Sequence, residues 1–161
     1  MVTWRTAVPS DEPARALLEQ YFSARAHGFA AGPAAYRRTV PIDAEFTPPA
    51  GVFVLVEGEN LSGEPADVGC GGVRRIAAGP RGPRFEVKHL WVQPHTRRLG
   101  YGRALMDELT RHARELGAAE LVLDTNENLE AASALYRSLD FGPIAPYNDN
   151  PNATTWLGRV L

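Results

Sequence analysis

The chain has 161 residues, of which 44% are hydrophobic and 22% are charged, a balance typical of one folded domain rather than a disordered chain. Its 17 basic and 19 acidic side chains give a formal net charge of −2, which excludes the basic excess that draws a protein to nucleic acid or an anionic membrane. The single cysteine, Cys70, excludes an intramolecular disulfide, and no stretch approaches the roughly 18 apolar residues of a membrane span. We therefore expect one cytoplasmic domain over residues 1–161.

The N-terminal part of the chain predicts a strand, a helix and an irregular segment. Residues 3–8 alternate as a short strand does. The turn after them leads into a helix whose apolar residues recur every three or four positions, as far as about His27. Prolines interrupt residues 29–50, where we expect irregular chain and one short helix around residues 34–39.

Three strand-like runs follow. Residues 51–57 and 67–74 are separated by turn-forming residues and should pair as an antiparallel hairpin. Residues 84–92 form the third run, in which strict alternation places Glu86, Lys88, Leu90 and Val92 on one face. The same alternation places His89 on the opposite face.

The C-terminal half changes from paired strands to alternating helices and strands. Its elements are a helix over about 100–116, a strand over 119–124, a helix over 129–139 and strands around 144–146 and 154–160. Strands and helices alternate only over residues 84–141, so the order β-α-β-β-β-α-β-α-β-β predicts an α+β (mixed α/β) fold. We expect a mixed, largely antiparallel sheet of about six to seven strands, with one right-handed βαβ crossover and flanking helices.

The junction between the third run and the next helix has the composition of an anion-binding turn. Gly100 and Gly102 remove side chains where a ligand would approach the backbone, and the first turn of a helix presents unpaired N–H groups. Positive charge is added by three arginines, Arg97, Arg98 and Arg103. The segment lacks the Lys-Ser or Lys-Thr of a P-loop, and Leu105 replaces the third glycine of a dinucleotide fingerprint. A solvated basic cluster at a helix start would explain the same residues.

The segment Arg97-Arg98-Leu99-Gly100-Tyr101-Gly102 resembles the Gln/Arg-x-x-Gly-x-Gly/Ala signature of the GCN5-related N-acetyltransferase (GNAT) family. Residues 134–141 are similar to that family's second conserved segment, which ends in Leu-Gly-Phe, and residues 147–151 resemble small bacterial members. The sequence departs from the pattern at Arg98, where glycine is frequent, and at Asp140, which replaces the glycine before the final phenylalanine. Aspartate tolerates a left-handed backbone better than most residues. The order of elements resembles a GNAT-like fold over nearly the whole chain.

The resemblance implies that the protein uses acetyl-CoA as its acyl donor. The backbone of the third run would pair with the pantetheine, and the N–H groups of residues 98–103 would hold the pyrophosphate. Asn126 or Asn128 would reach the cofactor from the neighbouring strand. The residues expected to bind acetyl-CoA are Leu90, Trp91, Val92, Arg97, Arg98, Leu99, Gly100, Tyr101, Gly102, Arg103 and Asn128. No metal is predicted.

The resemblance also implies that an amine attacks the thioester directly, with a base to take its proton and an acid for the leaving thiolate. Tyr136 matches the acid of the family, and Glu86, eleven residues before Arg97, matches the base of some members. Each has a plainer explanation, Tyr136 as a core aromatic residue and Glu86 as a solvated strand residue. His89 has a more suitable intrinsic pKa but ranks second because of its predicted face. Cys70 is expected to be a buried, inert thiol.

Two functions fit this sequence. One is an N-acetyltransferase acting on a primary amine of a small molecule, amino acid or peptide; the other is a GNAT-like domain that senses acyl-CoA without turnover. The presence of both Glu86 and Tyr136 favours the enzyme. In this architecture the acceptor would lie against the first helix and residues 29–50 and 145–153. Candidate contacts are Tyr21, Tyr36, Tyr147 and Asp149. We expect no nucleic-acid or membrane partner, and dimerisation through the last strands stays open.

Overall fold

The computed structural model describes residues 2–161, which form a seven-stranded sheet with helices on both faces. The strands are β1 (Thr3–Ala7), β2 (Gly51–Glu59), β3 (Pro65–Gly79), β4 (Gly82–Val92), β5 (Glu120–Thr125), β6 (Gly142–Pro143) and β7 (Thr155–Val160). The α-helices are α1 (Glu12–His27), α2 (Tyr101–Glu115) and α3 (Glu130–Ser138). Short 3-10 helices cover Pro33–Ala35, Asp43–Phe46 and Pro94–Thr96. The predicted α+β class and element order are confirmed.

The sheet is antiparallel except at one place, and that place opens a cleft. The strand order is β1-β2-β3-β4-β5-β7-β6, and β4 and β5 are parallel neighbours joined through α2. Within residues 2–161, these two strands pair only over Arg84–Glu86 and Glu120–Val122. Both strands continue beyond the last pair, to Val92 and Thr125. They therefore diverge after Glu86 and leave backbone groups of β4 without a partner on that side.

A β-bulge interrupts β4 at the start of this cleft. The pairing of β4 with β3 shifts there, so that His89 and Leu90 stand opposite the single residue Gly71. His89 adopts a left-handed backbone, with φ of +57°, the conformation that a glycine supplies in the G1 type of bulge. Leu90 consequently packs into the core under α2, whereas His89 packs edge-on against Phe22 of α1. The predicted strict alternation is wrong from this point, and His89 lies on the same face of the sheet as Glu86.

Two hydrophobic cores hold the helices to the sheet. On one face, the apolar side of α2 is fully buried through Leu105, Met106, Leu109 and Ala113. Burial of each large side chain of this kind contributes about 1.5–3 kcal/mol. On the other face, Leu17, Leu18 and Phe22 of α1 pack on Phe53 and neighbouring residues. No helix in the described residues 2–161 has the length and apolar content needed to cross a membrane.

Two predicted elements are misplaced. The short helix expected around residues 34–39 is wrong, because the 3-10 helix ends at Ala35 and the backbone of Arg37 is bonded elsewhere. The side-chain amide of Asn152 accepts from the Arg37 N–H at 2.9 Å and donates to the Arg37 carbonyl at 2.6 Å. The strand expected around residues 144–146 is the two-residue β6 at Gly142–Pro143. Beyond these two residues, the Ile144 N–H donates to the Trp156 carbonyl of β7 at 3.0 Å.

Candidate active site

A cavity of about 330 Å³ lies where β4 and β5 diverge. Its inner walls are Val87–Leu90 of β4, residues 123–125 of β5 and Tyr136 of α3. Its outer walls are α1, residues 36–37 and 39–42, and the loop that precedes β7. The cavity therefore connects the opening in the sheet with the surface formed by the most irregular parts of the chain.

A buried carboxylate lies under the cavity. The side chain of Glu86 is 1% exposed and does not itself line the cavity. Its Oε1 accepts from Arg74 Nε at 3.0 Å, and its Oε2 accepts from the Tyr147 hydroxyl at 2.7 Å. Lys88 Nζ lies 3.3 Å from Oε2. A buried charge needs such compensation, since an unpaired one is very costly. The Glu86 carboxylate is therefore enclosed by polar partners and not open to the cavity itself.

A second carboxylate, on Asp124, lies in the cavity wall. Lys88 Nζ donates to both of its oxygens, at 2.9 and 3.1 Å. Asn148 and Asn150 donate to Oδ2 at 2.7 and 3.1 Å. Burial alone would raise the pKa of Asp124, but Lys88 and the two amides outweigh burial and hold this pKa below its ordinary value. Asp124 is therefore ionised at neutral pH and fixes Lys88 between two carboxylates.

Tyr136 faces the cavity from α3. Its ring packs against Phe141, with centroids 6.0 Å apart. Within residues 2–161, no protein group is hydrogen-bonded to its hydroxyl, although the tyrosine as a whole is buried. Burial raises the pKa of Tyr136, so the hydroxyl keeps its proton at physiological pH. The position suits a donor to a group bound in the sheet opening.

His89 also lines the cavity, in an aromatic setting. Its ring stands edge-on to Tyr21 at 5.5 Å and to Phe22 at 5.6 Å between centroids. Its Nδ1 is buried and has no hydrogen-bond partner among the described residues. Burial, together with the nearby charges of Lys88 and Arg74, lowers the pKa of His89 to about 3. The imidazole is thus neutral, and it is a weak base that can still accept or donate one hydrogen bond.

The glycine-containing turn before α2 forms an open phosphate cradle, defined here as residues 98–103. Arg98 and Gly100 both have left-handed backbones, with φ of +66° and +83°. Among the described residues, the N–H groups of the cradle find no acceptor within the protein. A Cβ at Gly100 would meet nothing within 4 Å, and one at Gly102 would make only an ordinary contact with Leu135. The glycines are therefore not required by packing, and a helix N-terminus of this kind suits an anion.

The arginines around the cradle also have structural contacts. Arg97 donates from Nε to the Val92 carbonyl at 3.2 Å and lies over the Trp91 ring at 5.0 Å. Arg103 donates to Ser138 at 2.6 Å, which ties α2 to α3. These partners are neutral, so within residues 2–161 no carboxylate offsets the positive charge of either guanidinium beside the cradle.

The two asparagines after β5 differ in their availability. Asn126 is buried, and its Oδ1 accepts from the Asn128 N–H at 3.0 Å while its Nδ2 donates to the Asn152 carbonyl at 3.2 Å. Its amide therefore holds the loop, which leaves Asn126 less available to a cofactor than Asn128. The side chain of Asn128 is exposed.

Several residues of the site were not predicted from the sequence. Lys88 and Asp124 meet across β4 and β5, which only the sheet register reveals. Among the predicted acceptor contacts, Tyr21 and Tyr36 line the cavity, whereas Asp149 does not and Tyr147 instead supports Glu86. The alternation of β4 placed Lys88 on the same face as Glu86, but alternation cannot identify Asp124 on β5 as the partner of Lys88.

The sequence profile of the acetyltransferase (GNAT) family matches residues 12–141. This match covers most of the chain, so the protein belongs to the GNAT acetyltransferase family, as its two conserved segments predict. The matched region includes β4, the cradle and Tyr136.

Individual relatives agree with this assignment. An uncharacterised N-acetyltransferase of Schizosaccharomyces pombe is 32% identical over 109 residues, which are 66% of this chain and 61% of that protein. An IAA acetyltransferase of Azospirillum brasilense is 38% identical over 87 residues, 52% of this chain and 55% of that protein. The chain thus spans about six-tenths or less of the length of these curated relatives.

Solved structures share the fold over the whole chain. An acetyltransferase from Streptococcus agalactiae superposes with a TM-score of 0.75 at 17% identity, covering 99% of this chain and 98% of that one. A phosphinothricin acetyltransferase from Sinorhizobium meliloti, solved with AcCoA, has a TM-score of 0.63 at 21% identity and covers 99% and 88%. At these identities the likeness establishes the fold alone.

Proposed function

We propose that the protein transfers the acetyl group of acetyl-CoA to a primary amine held in the cavity. One observation carries the proposal: the opening between β4 and β5 connects with a cavity whose wall includes the Tyr136 hydroxyl. The phosphate cradle begins nine residues after the bulge at His89, at the start of the helix that links the same two strands. The relatives named N-acetyltransferase and IAA acetyltransferase support this class of reaction.

The proposed cofactor position follows from two sets of unpaired backbone groups, those of the cradle and those of β4 beyond Glu86. The pyrophosphate would accept hydrogen bonds from the cradle, helped by the charges of Arg97, Arg98 and Arg103. The pantetheine would lie along β4, where Leu90, Trp91 and Val92 lie beyond the last pair with β5. Asn128 would contact the cofactor from the opposite lip of the opening. Neighbouring structures solved with CoA or AcCoA support acetyl-CoA as the donor.

The proposed chemistry is one direct displacement. The neutral amine nitrogen attacks the thioester carbonyl carbon, the C–S bond breaks, and the acetyl group becomes an amide. The amine loses one proton, and the thiolate of CoA gains one. Backbone N–H groups near the bulge would stabilise the developing oxyanion, and Tyr136 would protonate the thiolate.

Glu86 is the proposed final proton acceptor. It is the last residue of β4 paired with β5 and therefore lies at the base of the opening. Because its carboxylate does not reach the cavity, the proton would pass through Lys88 or Tyr147, both of which contact Oε2. His89 is the alternative group for the amine, since its ring lines the cavity. Its lowered pKa favours hydrogen bonding to the amine over proton abstraction.

A domain that binds acyl-CoA without turnover is the competing function. Calorimetric titration with acetyl-CoA, followed by measurement of thiol release with a panel of amines, separates the two. Binding with amine-dependent release supports the enzyme. Binding without release on any amine supports the sensor, and absence of binding contradicts both.

A further inference from the structure

The cationic side chains of the cavity are not equally satisfied. Those that line it are Arg25, Arg37, Arg74 and Lys88. Arg74 is paired with Glu45 and Glu86, and Lys88 with Asp124 and Glu86. Arg37 is at the exposed rim. Arg25 remains as a half-buried guanidinium with no carboxylate within 4 Å among the described residues.

Arg25 is nevertheless held in place. It donates to the Tyr21 hydroxyl at 3.3 Å, and its guanidinium lies 5.6 Å from the centre of that ring. The fork of N–H donors is only partly used by this contact, since an arginine carries five. A positioned guanidinium with spare donors is well suited to a carboxylate, which it can bind through two parallel hydrogen bonds.

The same cavity has an apolar part. Tyr21, Phe22 and Tyr36 form an aromatic wall. At the rim, Val40 and Ile42 are 70% and 60% exposed. Such side chains gain most from a ligand that removes apolar surface from water. A bound molecule with an apolar group beside its charged group would cover them.

From these features we infer that the acceptor is an amino carboxylic acid with an apolar side group, whose carboxylate binds Arg25. This inference rests on the proposed function and names the substrate class of the same site. The amine end has its own partner, because the ring of His89 also lines the cavity. A neutral imidazole has one acceptor nitrogen, which can accept a hydrogen bond from the amine. The cavity thus offers one group for each end of the molecule.

Thiol release with matched pairs of acceptors tests the inference. The pairs are leucine with 3-methylbutylamine, phenylalanine with 2-phenylethylamine, and tryptophan with tryptamine, each compared by kcat/KM expressed for the free amine. The unaltered protein should prefer an amino acid over its decarboxylated counterpart by about tenfold or more. Arg25→Gln should reduce that preference by about tenfold to a hundredfold, through KM for the amino acid, and leave the plain amine unchanged.

Arg38→Gln is the matched control. Arg38 also stacks on an aromatic ring of α1, at 4.6 Å from Phe22, but pairs with Glu19 and does not line the cavity. It should leave the preference unchanged. Calorimetric titration of Arg25→Gln with acetyl-CoA verifies that the variant is folded.

The outcomes separate this inference from the proposed function. Release with plain amines at the same rate as with amino acids contradicts the carboxylate preference and leaves the acetyltransferase standing. An equal fall for both members of a pair in Arg25→Gln assigns Arg25 a structural role and also overturns the inference. If the protein binds acetyl-CoA but releases no thiol with either member of any pair, the inference is overturned. If it also releases no thiol with any amine of the wider panel, the proposed acetyltransferase activity is overturned as well.

Discussion

Replacement of Tyr136 by phenylalanine isolates one hydroxyl group. The ring would stay packed against Phe141, and removal of the hydroxyl breaks no hydrogen bond within the described chain. The free energy of unfolding should therefore change by no more than about 0.5 kcal/mol. Acetyl-CoA affinity should also be unchanged, because the proposed cofactor contacts come from β4 and the cradle.

The expected loss of turnover follows from the relative acidities of the Tyr136 phenol and the leaving thiol. General acid catalysis contributes about 10²–10⁴-fold, depending on how well the pKa of the acid matches its task. Burial raises the pKa of Tyr136 above its ordinary value, so the phenol is a weaker acid than an ordinary thiol, whose pKa is about 8.5. The gain should lie at the lower end, so Tyr136→Phe should reduce kcat about a hundredfold, or about 2.7 kcal/mol in barrier.

The assay combines initial rates of thiol release with calorimetric titration of acetyl-CoA on the same preparation. A fall in kcat with an unchanged Kd supports the assignment. A loss of less than threefold would refute the acid role, and a parallel loss of binding and turnover would assign Tyr136 to cofactor binding instead.

Three further changes test other parts of the site. Glu86→Gln should slow turnover most at low pH, where the amine is hardest to deprotonate, and an unchanged pH–rate profile contradicts the base role. The same change leaves Arg74 and Lys88 without the charge of this carboxylate, so chemical denaturation should show a free energy of unfolding lower by about 3 kcal/mol. Gly100→Val should abolish acetyl-CoA binding in calorimetry, because the side chain would fill the cradle. Gly63→Val is the control, since Gly63 has a similar φ of +80° and its Cβ would also meet no atom within 4 Å; it should lower the free energy of unfolding by a similar amount and bind acetyl-CoA normally. Loss of binding in both variants would attribute the effect to backbone strain. Finally, folding lowers the pKa of His89 from an ordinary 6.5 to about 3, so between these pH values only the unfolded state binds this proton. The free energy of unfolding should therefore decrease by about 1.4 kcal/mol for each unit by which pH is lowered in that range. Denaturation of His89→Gln at several pH values should lack this contribution, and a slope identical to that of the unaltered protein would refute the prediction.

Local sequence signals predicted the elements that depend on local physics. The spacing of Leu105 and Leu109 fixes one buried face of α2, and the structure places that face in the core. Asp140 replaces a family glycine at a left-handed position, and its φ of +65° matches that expectation. Arg98, with φ of +66°, explains in the same way why glycine is frequent there.

Features that depend on distant residues could not be predicted. The bulge at His89 has no glycine to mark it, yet it reverses the faces of every later residue of β4. The backbone of Arg37 is held by Asn152, 115 positions away, and this contact replaces the helix expected from composition. Lys88 and Asp124 become partners only through the parallel register of their strands. Periodicity contains none of this information.

The bulge at His89 also constrains how the length of this strand can vary. Removal of His89 would restore a regular pleat in which Leu90 alone stands opposite Gly71, still under α2, and it would remove the imidazole from the cavity wall. By contrast, one residue inserted into β4 without a second bulge would exchange the two faces for every residue after it. The hairpin tip at Leu61 to Gly63, which is exposed, has no such restriction, so length variation among relatives should concentrate there.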